Sequence, residues 1–192
     1  MMEVLEKLDQ ELFFFLNSLH SDFLDPIMLQ ATETITWLPV YVVILVMMIR
    51  AYGWHTVVWL LAIALAVTLS DQLTSTIMKP FFERLRPSRD PAFEEGLVHI
   101  VDGYRGGKYG FVSSHAANAF AVATVVYLSL RAFHPRIWLM FLVAAVIAYT
   151  RIYLGVHYPA DILIGALIGV IFGWLCFRLV LWISLRCWPL QS

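Results

Sequence analysis

Charged residues are scarce in this chain of 192 residues: only 14% are Asp, Glu, Lys or Arg, whereas a soluble globular domain has about a quarter. Hydrophobic residues make up 60% of the chain, and the mean hydropathy is +0.76. The net charge of −1 and the lack of a basic arm argue against a nucleic-acid partner. So much apolar surface requires lipid, and the sequence predicts a single integral membrane domain over residues 1–192.

Cysteine is scarce as well. Cys176 and Cys187 both lie in the last apolar segment, and their spacing matches neither a metal site nor a redox motif. Lipid-facing or packing roles are therefore expected for both. The first residues are acidic where a signal peptide would be basic, so the N-terminal segment is expected to remain in the mature chain.

Five stretches are apolar enough to cross the hydrocarbon as helices, which takes about 20 residues each. They are Pro26–Ile49, Trp54–Met78, Ser114–Phe133, Ile137–His157 and Pro159–Ile183. Segment 1–22 has apolar residues at helical spacing but many charges in its first half, which favours a helix lying in the interface over a sixth span. The predicted fold is an all-α membrane bundle of five transmembrane helices plus this amphipathic N-terminal helix.

The charges distinguish the two sides of this bundle. One side would hold the tight connections 50–53 and 134–136 together with the C-terminal end, and it carries only basic residues: Arg50, Arg131, Arg136, Arg178 and Arg186. Short basic connections indicate the cytoplasmic side. The long segment 79–113 is then an outward-facing loop. We expect a multi-pass protein of the inner (cytoplasmic) membrane whose polar side faces the periplasm or the cell exterior.

A stripe of small residues marks the last span. Gly165, Gly169 and Gly173 recur every four residues, and such a flat stripe allows two helices to approach closely. A packing role is predicted for these glycines.

Three polar clusters lie at span ends on the outward side. They are "KPFFERLRPSRD", with Lys79 and Arg86; "YGFVSSHAANAF", with Ser113, Ser114 and His115; and "YTRIYLGVHYPADIL", with Arg151, His157 and Asp161. Interfacial cations and helix caps could explain each cluster alone, but they do not explain why the clusters converge. So much positive charge on one face repels itself unless it binds an anion. A phosphoryl group fits Arg, Lys and the free N–H groups of a helix start.

Two histidines make this phosphate site a candidate for catalysis. One imidazole can attack phosphorus while another protonates the leaving oxygen. Asp161 lies four residues after His157, so both side chains can share a helical face and the carboxylate can orient the ring. Metal binding is the competing use of such residues. It is not expected, because multi-histidine or carboxylate-rich spacing is missing and the cations would repel a metal ion.

These blocks resemble a known family. Lys79-x6-Arg86-Pro87, Ser113-Ser114-His115 and Arg151-x5-His157-x3-Asp161 are similar to the three signature motifs of the type-2 phosphatidic-acid phosphatases, which are relatives of the vanadium haloperoxidases. The resemblance implies a lipid phosphatase that needs no metal or cofactor and forms a phosphohistidine. Three positions depart from the family pattern, since Val112 and Ser114 replace its usual proline and glycine, and Thr150 stands where a serine usually precedes the arginine.

The same resemblance assigns roles to the motif residues. His157 would be the nucleophile, Asp161 its orienting partner, and His115 the acid for the leaving group and later the base for water. The phosphoryl oxygens would be bound by the other motif residues: Lys79, Arg86, Arg151, Ser113 and the backbone of Ser114.

Substrate choice is less constrained by the sequence. The small size resembles bacterial members that act on undecaprenyl diphosphate, with lipid A and phosphatidylglycerol phosphate as alternatives. A non-catalytic lipid or phosphate transporter is disfavoured, because the halves show no repeat symmetry. The partners expected are the bilayer and a lipid phosphate whose head group enters between the third, fourth and fifth spans. Glu33 and Asp71 are intramembrane carboxylates, for which ion pairs with Arg84, Arg89 or Arg151 are expected.

Overall fold

The computed structural model describes residues 2–187, and within this range it is helical, with one isolated bridge between Leu85 and Tyr109 and no strand. Short 3-10 turns precede α3, α4 and α7, and a π-helix, Gln72–Met78, joins α4 to α5. The α-helices are α1 (Met2–Asn17), α2 (Leu24–Ala31), α3 (Leu38–Tyr52), α4 (Thr56–Asp71), α5 (Lys79–Phe82), α6 (Ser114–Leu130), α7 (Leu139–Tyr153) and α8 (Pro159–Cys187). The all-α prediction is confirmed.

The surface of the bundle suits lipid. Among the described residues, three stretches are long and apolar enough to cross a membrane, namely Thr34–Phe82, Pro135–Tyr153 and Pro159–Ser184. Large apolar side chains such as Leu61 on α4 and Leu167 on α8 are exposed on their outer faces, which only a hydrocarbon solvent makes favourable. The chain is thus a helical membrane protein, and the number of crossings stays a prediction.

Helices α6 and α8 form the tightest seam of the bundle. A Cβ atom added to Gly169 would lie 2.1 Å from the Ala117 carbonyl oxygen, and one added to Gly165 would lie 2.5 Å from that of Ser113. Backbones this close require glycine, so the predicted packing stripe is confirmed. Cys176 is also buried in the core, while the side chain of Cys187 lies outside the described part.

The predicted first span, Pro26–Ile49, is wrong in its first part. Pro26 belongs to the separate helix α2, and Glu33 then adopts extended backbone dihedrals that end the helical path before the 3-10 turn Thr34–Trp37. Helix α2 instead packs Leu24 and Met28 against a buried cluster around Tyr153. This tertiary docking overrides the continuous apolar pattern.

Helix α1 lies across one end of the bundle. Asp9 accepts a hydrogen bond from the Ala160 backbone N–H (2.8 Å), and the Asn17 amide donates to the Tyr153 carbonyl (2.9 Å). These contacts are about 12 Å apart along the helix axis, yet both reach the turn between α7 and α8. The apolar side chains of Leu5 and Leu12 remain exposed. This placement fits the predicted interfacial helix.

Candidate active site

The turn between α7 and α8 fixes the third polar cluster. Gly155 has φ +70° and ends α7 in a left-handed conformation that favours glycine. The backbone N–H groups of Val156 (3.0 Å) and His157 (3.2 Å) then both donate to the Arg151 carbonyl. Pro159 opens α8 two residues later. The two helix ends therefore hold His157 buried between them, with 1% of its surface exposed.

His157 and Asp161 form the predicted contact. The Nδ1 atom of His157 lies 3.2 Å from Oδ2 of Asp161, and that oxygen also accepts from the Tyr158 backbone N–H at 3.0 Å. Burial lowers the pKa of the His157 imidazole well below its usual value, and the charges of Arg86 and Arg151 lower it further. The ring is therefore neutral at physiological pH, which is the state that a nucleophile requires.

Arg86 is held at the rim by the loop that precedes α6. As the residue before Pro87 it is extended, and its Nε donates to the Tyr109 carbonyl (3.1 Å). Gly106, with φ +60°, passes so close that a Cβ there would lie 2.5 Å from Arg86 Nη1. Burial, followed by the charge of Arg151, lowers the pKa of the Arg86 guanidinium to about 10. Nη1 is buried without a partner among the described residues, so it can donate to a ligand.

Arg151 lies deeper, with 1% of its surface exposed. Its Nη1 donates to the Thr32 hydroxyl and its Nη2 to the Tyr104 hydroxyl (3.0 Å). The Nε atom is buried and has no partner within residues 2–187. Helix α2 and the long loop thus fix this guanidinium behind His157.

Ser113 and Ser114 have different surroundings. Ser113 is the N-cap of α6, where its hydroxyl accepts from the Ala116 N–H (3.4 Å), and its own N–H donates to the Asp161 carbonyl (3.2 Å). It is completely buried. Its hydroxyl, expected to bind phosphate, caps the helix, and its backbone N–H links α6 to α8.

The Ser114 hydroxyl belongs to a polar network with the end of α4. It accepts from Lys79 Nζ (2.7 Å) and from the Thr74 hydroxyl (2.9 Å), and it lies 2.7 Å from the Ser75 hydroxyl. The π-helix presents Thr74 and Ser75, and such segments often occur at functional sites. Lys79 lies on α5 and not in a loop, so the loop predicted over 79–113 begins four residues later than predicted, because the helix continues to Phe82.

A cavity of about 650 Å³ joins these groups. Its polar end contains Lys79, Arg86, Ser114, His115 and His157, and its apolar walls come from α3, α4, α6 and α7. No residue of α8 lines it, so entry between the third, fourth and fifth spans is not what the described structure shows. The reason is the glycine seam, which closes α8 against α6. Arg151, Ser113 and Asp161 are not among the residues that line it.

Asp71 and Asn118 form a polar patch deeper in this cavity. The Asp71 carboxylate accepts from the Ser75 hydroxyl (3.2 Å) and from the Asn118 amide (3.4 Å). The carbonyl oxygen of that amide is buried and has no partner in the described part of the chain. Both side chains line the cavity, so the patch presents acceptors to a ligand.

The prediction that Glu33 and Asp71 form ion pairs with arginine is wrong. Glu33 is exposed, and Asp71 binds the two neutral groups just named. Arg84 contacts Asp9 and Asp161 instead, and Arg89 donates to the Gly106 carbonyl. Because the N-terminal helix brings Asp9 to Arg84, the intramembrane carboxylates are not needed there.

Comparison with known proteins gives consistent matches. Residues 58–184 match the model of the PAP2 superfamily. The chain is 40% identical to a protein of Bacteroides thetaiotaomicron named lipid A 4'-phosphatase, over 92% of this chain and 79% of that one. A Porphyromonas gingivalis protein of the same name is 34% identical, over 97% of this chain and 80% of that one. The crystal structure of Aquifex aeolicus LpxE superposes with a TM-score of 0.66 at 29% identity, covering 89% of this chain and 95% of that one.

Proposed function

Because the chain belongs to the PAP2 superfamily and is a membrane lipid phosphatase, we propose that it removes the 4'-phosphate of lipid A through a phosphohistidine. One observation carries the chemistry: two histidines and two cations line the same cavity, and one histidine is held by a buried carboxylate. That arrangement supplies a nucleophile, an acid and an anion site together.

In the proposed reaction, Nε2 of His157 attacks phosphorus while Asp161 holds Nδ1. The bond from phosphorus to the lipid oxygen breaks, and His115 gives that oxygen its proton. His115 then takes a proton from water, whose oxygen attacks the phosphohistidine and breaks the phosphorus–nitrogen bond. Inorganic phosphate leaves and His157 returns to its starting state.

The positive groups stabilise the charge that develops on phosphorus. Lys79 and Arg86 line the cavity and would bind the phosphoryl oxygens directly, together with the backbone N–H of Ser114 at the start of α6. We assign Arg151 the same role from behind His157, through its free Nε. Ser113 contributes by starting α6 at this point. Since these cations supply the positive charge, the proposed reaction uses no metal and no cofactor.

The substrate assignment differs from the expectation of undecaprenyl diphosphate. Two curated relatives that align over nearly the whole chain are both named for lipid A. The acceptors on Asp71 and Asn118 also suit a lipid with hydroxyl or amide N–H donors near its phosphate. An acylated amino sugar has such donors, whereas a polyprenyl tail has none. We therefore favour lipid A, with its acyl chains against the apolar walls of the cavity.

Location follows from the arrangement of charges. The short connections at the far end carry basic residues and no acid, which supports placing that end in the cytoplasm. The active site would then open at the periplasmic or outer face of the inner membrane. Domain limits of 1–192 remain part of this proposal.

A substrate panel tests the function. Purified protein in EDTA should release phosphate from lipid A, and more slowly from undecaprenyl diphosphate and phosphatidylglycerol phosphate. We expect at least about a tenfold preference in kcat/KM for lipid A over undecaprenyl diphosphate, because buried acceptors discriminate against ligands without donors. Faster hydrolysis of undecaprenyl diphosphate would reject the lipid A assignment, and loss of all activity in EDTA would reject the metal-free mechanism.

Asn118→Leu tests the acceptor patch. The variant should shift the kcat/KM ratio of lipid A to undecaprenyl diphosphate by about tenfold toward the polyprenyl substrate, since one substrate hydrogen bond is lost. The matched control is Gln72→Leu, which also replaces an amide but on an exposed side chain of the π-helix. An unchanged ratio in Asn118→Leu would show that the patch does not read the substrate.

A further inference from the structure

The second oxygen of Asp161 has a partner outside the predicted site. Arg84 Nη1 donates to Oδ1 at 3.0 Å, while Oδ2 faces His157. The Asp161 side chain is fully buried and that of Arg84 is 24% exposed. A buried carboxylate is costly unless a cation and hydrogen bonds compensate it. Arg84 is therefore the group that keeps Asp161 ionised and fixes its rotation.

Arg84 is itself held by the N-terminal helix. Its Nη2 donates to Asp9 Oδ2 at 2.7 Å, and Asp9 Oδ1 accepts from the Ala160 backbone N–H at 2.8 Å. The guanidinium also lies over the Tyr158 ring, with its carbon 4.0 Å from the ring centroid. Asp9 thus connects α1 both to Arg84 and to the first turn of α8, which contains Asp161.

Further contacts keep α1 in this position. The Phe13 ring is completely buried and packs edge to face against Tyr158, with centroids 5.4 Å apart. The Asn17 amide donates to the carbonyls of Ile152 (3.1 Å) and Tyr153 (2.9 Å) at the end of α7. A helix that only anchored the chain in the interface would not need buried polar contacts to both helices of the site.

We propose that Asp9 and Arg84 are positioning residues for the catalytic pair, so that α1 is part of the machinery of the active site. The proposal rests on the proposed function, in which His157 is the nucleophile. Arg84 orients the Asp161 carboxylate toward His157 Nδ1. Asp9 fixes the guanidinium fork and balances its charge, so that Arg84 does not make His157 less basic.

The test compares Asp9→Asn, Arg84→Gln and Arg84→Lys with Glu11→Gln, a control on the same helix whose carboxylate is exposed and pairs only with Lys7 among the described residues. We expect kcat to fall about tenfold in Asp9→Asn and about a hundredfold in Arg84→Gln, with KM within about threefold, because orientation affects the transition state more than binding. Glu11→Gln should retain the wild-type rate.

The acid limb of the pH profile of kcat/KM distinguishes positioning from folding. Arg84→Gln removes a positive charge, which raises the pKa of the catalytic pair and moves the limb to higher pH. Asp9→Asn removes a negative charge and moves it to lower pH. Arg84→Lys keeps the charge and should leave the limb in place while kcat falls.

The proposal would be overturned if kcat fell equally in Asp9→Asn and Arg84→Gln without opposite shifts of the acid limb. A wild-type kcat in Asp9→Asn would overturn it as well. Should Arg84→Gln not fold, Asp9→Asn and Glu11→Gln decide alone. An inactive wild-type enzyme on every lipid phosphate would instead refute the proposed function itself.

Discussion

His157→Ala should abolish phosphate release from lipid A, with a loss of at least about a thousandfold in kcat, because the proposed reaction forms its bond to phosphorus at this imidazole. The imidazole is buried between α7 and α8 and is held by Asp161. A small side chain leaves Lys79 and Arg86 free to bind the anion. KM should therefore change much less than kcat. Steady-state phosphate release measures both constants.

A histidine at the opposite end of the bundle provides the control. His134 lies in the connection between α6 and α7, at the opposite end of α6 from His115, and does not line the polar cavity. His134→Ala should keep the wild-type rate. After a rapid quench in alkaline SDS, in which the phosphorus–nitrogen bond survives, the wild-type enzyme should carry labelled phosphate on histidine, and His157→Ala should carry none. Turnover by His157→Ala at the wild-type rate would remove this residue from the nucleophile role.

Gly169→Leu should prevent stable folding, since even a Cβ atom there would lie 2.1 Å from the Ala117 carbonyl and 2.9 Å from the Ala121 nitrogen. Backbone atoms cannot move aside as a flexible side chain can. Separating α6 from α8 would displace Ser113 from Asp161 and open the site. We expect the free energy of unfolding to fall by about 3 kcal/mol or more, which is at the upper end of overpacking effects.

Thermal unfolding in detergent measures this loss. The matched control is Leu167→Phe, two residues away on the exposed face of α8. It also adds volume but directs it toward lipid, so its melting temperature should stay close to that of the wild type. A Gly169→Leu protein that melts with the wild type would show that the seam can relax.

The sequence predicted the bundle because hydrocarbon imposes simple rules on length and polarity. It also predicted the contact of His157 with Asp161, since residues four apart share a helical face. It did not predict Asp9 as a partner of Arg84. Those residues are 75 positions apart, and only the docking of α1 across the bundle brings them together. Nothing in a local pattern reports such a contact.

Other features of the structure were not predicted for similar reasons. Helix α2 was merged with the first span, because apolar periodicity cannot tell a helix docked on the protein from one that enters lipid. Asn118 follows Ser114 by one helical turn, and Ser75 precedes Lys79 by one turn. That spacing could have placed both beside the site. The sequence does not predict the π-helix, and it is this segment that places Ser75 against Ser114.

The shape of the cavity also determines how the two products separate. Its charged end lies where the helices end, whereas its walls are apolar and are formed without α8. Freed phosphate can therefore escape into water while the shortened lipid slips sideways into the leaflet. Neither product has to pass the other, and turnover need not wait for a whole amphiphile to be extracted from the membrane.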